Sequence, residues 1–377
     1  MRIAAAELLP IRLPLCKPVE NAQGVISVRE GTLLRLASDE GLIGWGEASP
    51  YPGFGLESVE QARAALGRAV HELLGCEIDD RDDLIARVQA STQLSPTARA
   101  GVETAVLDIS ARGNRLPLHE VLVATPGQSA DPVPCNALVT GATHDELERS
   151  ASSLAAQGFR TFKLKIGAQG VDRDVARVAL LREVLGTEVA IRLDANQAYR
   201  GDSAAAAIER FAGYGIEYLE QPVASRDIEA MAELRRKSPI PLAADEAAVS
   251  EQGTRRVIDA GAADVIVIKP SAAGGPLAAQ RIARAARQAG LQIVVTSLMD
   301  SAVGLCAARH TAAALAKEGV LPACGLATSG VFERDVAEVA PLADGRFRLS
   351  HAAGLGIAID VPGLDGCLSG PVVRLST

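Results

Sequence analysis

Short apolar runs in the middle of the chain each end in a charged residue, and a similar interval separates them. The charged residues are Lys165, Asp194, Glu220, Asp245 and Lys269, and consecutive ones lie 24 to 29 residues apart. Such an interval holds one β-strand and one helix, the repeating unit of a parallel sheet. In barrels built from this unit, functional residues lie at the carboxyl ends of the strands. We therefore expect the five charges at one rim.

The repeat predicts a closed α/β barrel. Seven or eight strand–helix units favour a barrel over a doubly wound sheet, and no G-x-G-x-x-G follows any of the strands, which weakens a dinucleotide-binding alternative. Thr143, with Glu146 three residues later, is a capping box at the start of the first helix. The predicted strands are Val133–Val139, Phe159–Ile166, Val189–Leu193, Ile216–Leu219, Pro241–Ala243, Val265–Ile268 and Ile293–Thr296.

The segments on either side of the repeat lack its rhythm. The sequence predicts an α+β domain over residues 1–128 and the barrel with the active site over residues 129–325. Residues 326–377 are expected to form the end of the barrel and to return to the first domain. A linker is expected at Pro126–Pro134. The first domain should contain antiparallel strands at 31–38 and 42–45 and helices over 57–74, 80–90 and 95–112, and the tail should contain strands at 346–349 and 372–375.

Composition excludes several classes of function. The formal net charge of −8 argues against nucleic acid or an anionic membrane as partner. The sequence contains no run of 18 apolar residues, so no transmembrane helix is predicted. The six cysteines form no C-x-x-C pair, which favours buried thiols in a reducing, cytoplasmic compartment. The five histidines do not cluster in the sequence, and we assign none of them a catalytic role. A homo-oligomer remains open.

The charged residues suit metal-assisted proton removal. Alone, an Asp or Glu after a strand is usually a helix cap or a solvated loop residue. Three carboxylates on adjacent strands, Asp194, Glu220 and Asp245, could instead hold one cation, and oxygen ligands favour Mg²⁺, with Mn²⁺ as an alternative. Lys163 and Lys165 share one strand face. A neighbouring ammonium and a cation lower the pKa of a lysine, so Lys165 could remove a proton next to a carboxylate.

These motifs resemble the enolase superfamily, muconate-lactonizing subgroup, over nearly the whole chain. The resemblance implies a (β/α)7β TIM-like barrel with an N-terminal α+β cap domain that the C-terminal tail completes. It implies Mg²⁺ at the three carboxylates, Lys165 as general base, Lys163 as the residue that tunes it, and Lys269 on the other face of a small carboxylate substrate. Neighbouring residues are expected to support the ligands or contact substrate; they are Arg192, Asn196, Gln221, Glu246, Ser297, Asp300 and Ser301. For Arg192, a structural ion pair is an equal alternative.

Within the subgroup, three stretches resemble o-succinylbenzoate synthases. They are W-G-E-A-S-P-Y-P-G-F-G-L-E-S near residue 50, T-S-L-M-D-S-A-V-G-L from residue 296 and G-L-A-T-S-G from residue 325. Asp300 stands where that family has Glu, Ala327 where it has Gly, and Gly55 where it has Ser. The resemblance implies dehydration of 2-succinyl-6-hydroxy-2,4-cyclohexadiene-1-carboxylate in menaquinone biosynthesis. Cap loops near Asn21–Arg29 and Ser49–Leu56 would close over the succinyl end.

Other functions use the same residues. A racemase of N-acylated amino acids or an epimerase of dipeptides would need the same metal and both lysines. Dipeptide epimerases of the subgroup usually carry D-x-D after the seventh strand, where this chain has only Asp300. Muconate cycloisomerisation is a weaker option. A Schiff-base aldolase would use Lys165 or Lys269 as nucleophile but leave three carboxylates unused, and a carboxylate-binding scaffold would not need all six charged groups.

Overall fold

The computed structural model describes residues 1–21, 24–78, 81–91, 95–123, 132–200 and 202–377. Its first sheet is antiparallel and consists of β1 (Ile3–Asn21), β2 (Gly24–Ser38), β3 (Ile43–Ala48) and the C-terminal strand β13 (Val373–Ser376). The strand order is β13-β1-β2-β3. Strand β13 pairs with β1 from Ala5 opposite Ser376 to Leu8 opposite Val373, so the tail completes the cap sheet as expected.

The remaining strands and the helices follow the predicted order. The strands are β4 (Val133–Pro134), β5 (Ala137–Val139), β6 (Thr161–Lys165), β7 (Ala190–Asp194), β8 (Ile216–Glu220), β9 (Leu242–Ala244), β10 (Val265–Ile268), β11 (Gln292–Val295) and β12 (Arg346–Phe347). The helices are α1 (Val59–Leu73), α2 (Arg81–Ser91), α3 (Pro96–Gly113), α4 (Leu118–Val121), α5 (His144–Ala156), α6 (Val171–Leu185), α7 (Asp202–Phe211), α8 (Ile228–Lys237), α9 (Glu251–Ala260), α10 (Pro270–Ala273), α11 (Pro276–Gln288) and α12 (Ala302–Glu318).

The cap core depends on close packing of α3 on β3. A Cβ on Gly46 would lie 1.8 Å from the carbonyl oxygen of Gly101, and one on Gly44 would lie 2.3 Å from that of Ala105. Only glycine allows the backbones to approach this closely. The buried carboxylate of Asp108 then accepts hydrogen bonds from the backbone N–H groups of Trp45 and Leu355, which fastens β3 and the tail to α3.

A parallel barrel forms the second layer. Seven strands run in the order β5 to β11, and the chain at Cys324–Gly325 occupies the eighth position. Cys324 pairs in parallel with Cys135, and Gly325 pairs with Thr296. The N–H of Gly325 donates to Val295 at 2.9 Å and the N–H of Asn136 donates to Cys324 at 2.9 Å, which closes the ring. The predicted α/β barrel and cap are confirmed.

Several details differ from the sequence expectations. Val133–Val139 is not one strand, because β4 pairs antiparallel with β12 and only β5 joins the barrel sheet. The expected loop at Asn21–Arg29 is largely the arm of the β1–β2 hairpin, with residues 22 and 23 outside the described part. Most of the predicted linker, up to residue 131, also lies outside it. The domain limits at residues 128 and 325 stay predictions. Within the described residues, no helix is both long and apolar enough to cross a bilayer.

Two histidines far apart in the sequence lie together, contrary to our expectation. The backbone N–H of His119 on α4 donates to Nδ1 of His310 on α12 at 3.1 Å, and the two Nδ1 atoms are 3.3 Å apart. Nε2 of His310 lies 3.2 Å from the carbonyl oxygen of Leu355 in the tail. A carbonyl only accepts, so Nε2 of His310 carries the proton and the imidazole is neutral. The pair joins the cap, the barrel helix and the tail.

We expect the two buried histidines to make the fold less stable in mild acid. Burial lowers the pKa of His119 to about 4 and that of His310 to about 3, each from 6.5. Lys317, Glu120 and His351 are the charged or titratable groups that act on His119. Stability is therefore full above pH 6.5 and falls as the pH drops from 6.5 towards these values, because the unfolded chain binds the protons first.

We expect the free energy of unfolding, measured with urea, to fall by about 2 kcal/mol between pH 7 and pH 5 through the protonation of His310 alone. His310→Asn keeps a hydrogen-bond acceptor near the position of Nδ1 and removes the titrating ring. The variant should lose less stability over the same pH interval than the unsubstituted protein. An equal loss in both proteins would show that other groups dominate acid unfolding.

Candidate active site

Strand register places three of the predicted charges in one row. Lys165 is the partner of Asp194 across β6 and β7, and Asp194 is the partner of Glu220 across β7 and β8. Lys163 donates to Glu220 at 2.7 Å and lies 3.0 Å from Oδ2 of Asp194. Lys165 donates to the same oxygen of Asp194 at 3.0 Å and to Oδ1 of Asn196 at 2.6 Å. Both lysines thus share one face, as alternation along a strand predicts.

Lys269 and Asp245 form the other side of the site. Asp245 follows β9, Lys269 follows β10, and the two side chains form a salt bridge. Strand β10 lies four places from β6 in a ring of eight, so Lys269 approaches the barrel axis from the side opposite Lys165. The aromatic ring of Phe54 from the cap covers Nζ of Lys269, with 4.6 Å between Nζ and the ring centroid.

Burial makes the carboxylates of this site energetically unequal. Glu220 is fully buried, and burial raises its pKa to about 7; Lys163 opposes this shift, while Asp194 and Asp245 add to it. Burial also raises the pKa of Asp245, against the charge of Lys269. For Asp194, burial is outweighed by Lys163 and Lys165, which hold its pKa below the ordinary range. Glu220 and Asp245, which each contact one lysine, are therefore less able to keep their charge than Asp194, which contacts two.

The donor set fits a hard divalent cation. Oε2 of Glu220 is buried without a hydrogen-bond partner among the described residues, and Asp194 and Asp245 flank it. Oxygen ligands of this kind favour Mg²⁺. In the arrangement described, the carboxylates face lysine ammonium groups, and no three His, Cys, Asp or Glu side chains of the described ranges form a ready metal site. Cation binding would require these side chains to turn from lysine to metal.

Gln221 and Asn196 shape the loops that carry the carboxylates. Oε1 of Gln221 accepts the N–H groups of Asp245 and Ala247 at 3.0 and 3.1 Å, so Gln221 holds the turn after β9. The N–H of Asn196 donates to Oδ1 of Asp194 at 3.1 Å. Gln221 and Asn196 both adopt φ near +40°, which is strained for residues other than glycine. Glu246 lies beside Asn196 and lines the cavity.

Arg192 lies inside the barrel but deeper than the carboxylates. Its guanidinium pairs with Glu217 at 2.7 Å and donates to Asn136 and to the carbonyl of Ala323 at 3.2 and 2.6 Å. No described contact joins it to Asp194, although both residues are on one strand face. Asn136 lines the cavity, so among the described contacts its amide is the link between Arg192 and the site. Its role stays a prediction.

The three residues expected after the seventh strand separate into two groups. Ser297 lines the cavity, and its hydroxyl lies 3.0 Å from that of Thr328. Asp300 and Ser301 do not line it. Ser301 donates its hydroxyl to Glu47 of the cap at 2.6 Å, whereas Asp300 accepts from Leu298 and Ser271. Burial and the charge of Glu47 raise the pKa of Asp300 to about 6, against Arg29. Asp300 and Ser301 thus belong to a junction between cap and barrel.

The cavity is large enough for a small carboxylate ligand. It measures about 830 Å³ including its mouth, and an adjoining chamber of about 780 Å³ shares Val19, Leu138 and Lys165 with it. The walls of the first cavity combine the polar floor with apolar residues at the mouth. The apolar residues are Val19, Tyr51, Phe54, Leu138, Leu298, Met299 and Ala327.

Several residues at this site escaped the sequence analysis. Arg29 and Glu47 lie on cap strands with only an alternating pattern to mark them, and their barrel partners are 270 and 254 residues away. Phe54 lies in the glycine- and proline-rich loop that we expected to close over the site. Gly55, at φ +63°, ends the turn over Pro52–Phe54. This left-handed angle favours glycine at the position.

Comparison with known families agrees with this arrangement. The description "Enolase C-terminal domain-like" matches residues 146–363. The chain belongs to the enolase superfamily. The N-terminal domain description of the mandelate racemase and muconate lactonizing enzyme family matches residues 6–122, which places the chain in the muconate-lactonizing subgroup.

Individual relatives favour racemases and epimerases. The chain is 30% identical to the N-succinyl-L-Arg/Lys racemase of Bacillus cereus over 96% of both chains, and the crystal structure of that racemase matches with a TM-score of 0.92 over 100% of both. A dipeptide epimerase from Enterococcus faecalis, solved with Mg and the dipeptide L-Leu-L-Tyr, matches at 26% identity and a TM-score of 0.87 over 95% of this chain and 100% of that one.

A relative that carries the synthase name matches a shorter part of the chain. The o-succinylbenzoate synthase of Thermobifida fusca is 39% identical over 216 residues, which is 56% of this chain and 65% of that protein. The family expectation is confirmed. The synthase expectation is less well supported than its racemase and epimerase alternative.

The buried carboxylates predict how the protein responds to Mg²⁺. Adding MgCl₂ should raise the midpoint of thermal unfolding, by the equivalent of about 2.7 kcal/mol at a hundredfold excess over Kd. Glu220→Gln should lose most of this gain. Without metal, the same variant should be at least as stable as the unsubstituted protein, because a neutral amide relieves an unfavourable buried charge.

Glu217→Gln is the matched control, since Glu217 is on the same strand and pairs with Arg192 instead. It should keep the full response to Mg²⁺. Equal responses in Glu220→Gln and Glu217→Gln would remove Glu220 from the set of metal ligands.

Proposed function

We propose that the protein is a metal-dependent racemase of N-acylated amino acids. The observation that carries this proposal is the placement of Lys165 and Lys269 on opposite sides of one cavity. One lysine can remove the α-proton from one face of a substrate, and the other can return a proton to the opposite face. Inversion needs both groups, whereas a dehydration that returns the proton to a leaving hydroxide on the same face needs only one.

The residues take distinct parts in this reaction. Asp194, Glu220 and Asp245 would hold Mg²⁺, with Mn²⁺ as an alternative, and the bound ion would supply positive charge to the substrate carboxylate. A neutral Lys165 accepts the α-proton at Nζ while the ammonium of Lys269 donates to the opposite face, and the roles exchange for the other enantiomer. Lys163, held between Asp194 and Glu220, would add positive charge to the floor.

The mouth of the cavity favours an acylated over a free amino group. Leu298 and Met299 line it in the loop after the seventh strand, the loop in which dipeptide epimerases of the subgroup usually carry D-x-D. The nearby carboxylate, Asp300, bonds to Leu298 and Ser271 and does not reach the cavity. An α-ammonium in this position would lose its hydration without gaining a charged partner. A neutral amide nitrogen carries no such cost.

The adjoining chamber suits a long side chain with a cationic end. Its walls are mostly aliphatic, and the ammonium and guanidinium groups that border it are occupied: Lys165 by Asp194 and Asn196, Arg177 by Asp174 and a backbone carbonyl. Glu20, at the exposed edge, has no ion-pair partner among the described residues. An N-succinylated arginine or lysine, the kind of substrate named for the Bacillus cereus relative, would place its charge there. A cytoplasmic location stays a prediction.

The direct test follows the α-proton by NMR in D₂O with Mg²⁺. We expect the protein to exchange the α-proton of N-succinyl-L-arginine and to form the D enantiomer. Lys165→Ala and Lys269→Ala should each reduce racemisation by about 10²–10⁴-fold, the usual contribution of general acid–base catalysis. Each variant should still exchange the proton of one enantiomer, on the face of the remaining lysine.

Lys237→Ala is the control, because Lys237 is an exposed lysine paired with Glu233. It should retain full activity. Aromatisation of the cyclohexadiene substrate at an enzyme-like rate, without exchange of any N-acyl amino acid, would restore the synthase assignment, which the partial match to the Thermobifida fusca enzyme supports.

Glu20 gives a separate test of side-chain selectivity. Glu20→Gln should raise KM for N-succinyl-L-arginine by about two- to fivefold, as for an exposed ion pair worth up to ~1 kcal/mol, and leave KM for N-succinyl-L-norleucine unchanged. Glu30→Gln, a change at an exposed carboxylate paired with Arg12 on the cap arm, should affect neither substrate. If Glu20→Gln raises KM equally for both substrates, the chamber does not recognise the charge of the substrate side chain.

A further inference from the structure

A continuous line of contacts runs from a buried guanidinium in the cap to Lys269 in the barrel. Arg29 on β2 lies over the ring of Tyr51, with 5.1 Å from its Cζ to the centroid. Tyr51 meets Phe54 edge to face, with centroids 5.7 Å apart and an interplanar angle of 86°. Phe54 covers Nζ of Lys269 at 4.6 Å. We propose that Arg29, Tyr51 and Phe54 are positioning residues that hold the ammonium of Lys269 at the cavity.

Arg29 can serve as the fixed end of this line because its guanidinium is buried and each of its three nitrogens donates a hydrogen bond. Nη2 donates to the carbonyl of Ser49 at 2.7 Å, Nη1 to that of Pro50 at 2.9 Å and Nε to that of Met299 at 3.2 Å. The first two carbonyls belong to the cap loop and the third to the barrel loop after β11. One planar group thereby fixes the loop that carries Tyr51 and Phe54 against the barrel.

Phe54 confines Lys269 on the side that Asp245 leaves open. The side chain of Lys269 is 9% exposed, with Asp245 as its ion-pair partner and the face of Phe54 as its cap-side neighbour. An aromatic face attracts an ammonium and excludes water from it. No aromatic ring of the described residues covers Lys165, the lysine on the other side, which is held by Asp194 and Asn196. The line of contacts therefore acts on one of the two lysines.

This asymmetry gives a kinetic test that rests on the proposed function. Lys269→Ala first identifies the enantiomer whose proton Lys165 removes, because exchange of that enantiomer persists without inversion. Phe54→Leu and Tyr51→Leu should then lower inversion by about tenfold and spare this Lys165-dependent exchange. Phe54→Tyr and Tyr51→Phe keep the rings and should retain inversion. An equal loss of both reactions, or no loss, overturns the inference.

A second measurement does not depend on the reaction. Limited acetylation with acetic anhydride, followed by mass spectrometry, reports the cover over each lysine, with Lys163 and the exposed Lys237 as internal references. We expect Phe54→Leu, Tyr51→Leu and Arg29→Gln to raise the acetylation rate of Lys269 severalfold relative to Lys163, at unchanged rates for Lys237. Tyr51→Phe should match the unsubstituted protein. An unchanged rate at Lys269 in the Leu variants overturns the inference.

The two arms separate the inference from the proposed function. If the unsubstituted protein exchanges no N-succinyl amino acid, the racemase proposal fails, and the acetylation rates still decide whether the cap holds Lys269. If exchange occurs and the Leu variants change neither inversion nor acetylation, the racemase proposal stands and the line of contacts has no positioning role. The result for Arg29→Gln is interpreted only if the thermal unfolding of this variant stays cooperative. If it does not, the Phe54 and Tyr51 variants decide the question.

Discussion

Mutual compensation of buried charges is the constraint on which the rest of this structure depends. Asp194, Glu220 and Asp245 are between 0 and 3% exposed, and isolated carboxylates would be very costly at such depth. Three ammonium groups from β6 and from the turn after β10 offset this cost without removing it, as the raised pKa of Glu220 shows. The barrel core must stabilise the fold enough to carry a floor that is unfavourable by itself. A cation would supply charge where the lysines leave a deficit.

Parallel strand pairing makes this arrangement reproducible. Register sets Lys165 beside Asp194 and Asp194 beside Glu220, so the row is fixed by backbone hydrogen bonds before any side chain is placed. The same geometry explains Arg192. It shares a face with Asp194 but lies two residues earlier, roughly 6.6 Å deeper along the strand, and its partners are therefore Glu217 and Ala323 near the floor.

Local sequence patterns predicted the parts of the molecule that depend on local geometry. The strand spacing placed the charged residues, and the predicted capping box at Thr143 formed. The same patterns could not predict the pairing of His119 with His310, or of Glu47 with Ser301, because alternation assigns a residue to a face and says nothing of its partner on a distant element. Such contacts depend on how cap and barrel dock, which is a property of the whole chain.

The junction between cap and barrel explains why common chemistry can serve different substrates. The lysines and carboxylates all belong to the barrel, whereas Tyr51, Phe54 and Val19 at the mouth come from the cap. Arg29 and Glu47 join the two parts through buried hydrogen bonds to Met299 and Ser301. Buried polar bonds are directional, so they define one docking geometry where an apolar contact would tolerate sliding. A change in the cap can therefore alter what enters the cavity while the row of charges beneath it stays in place.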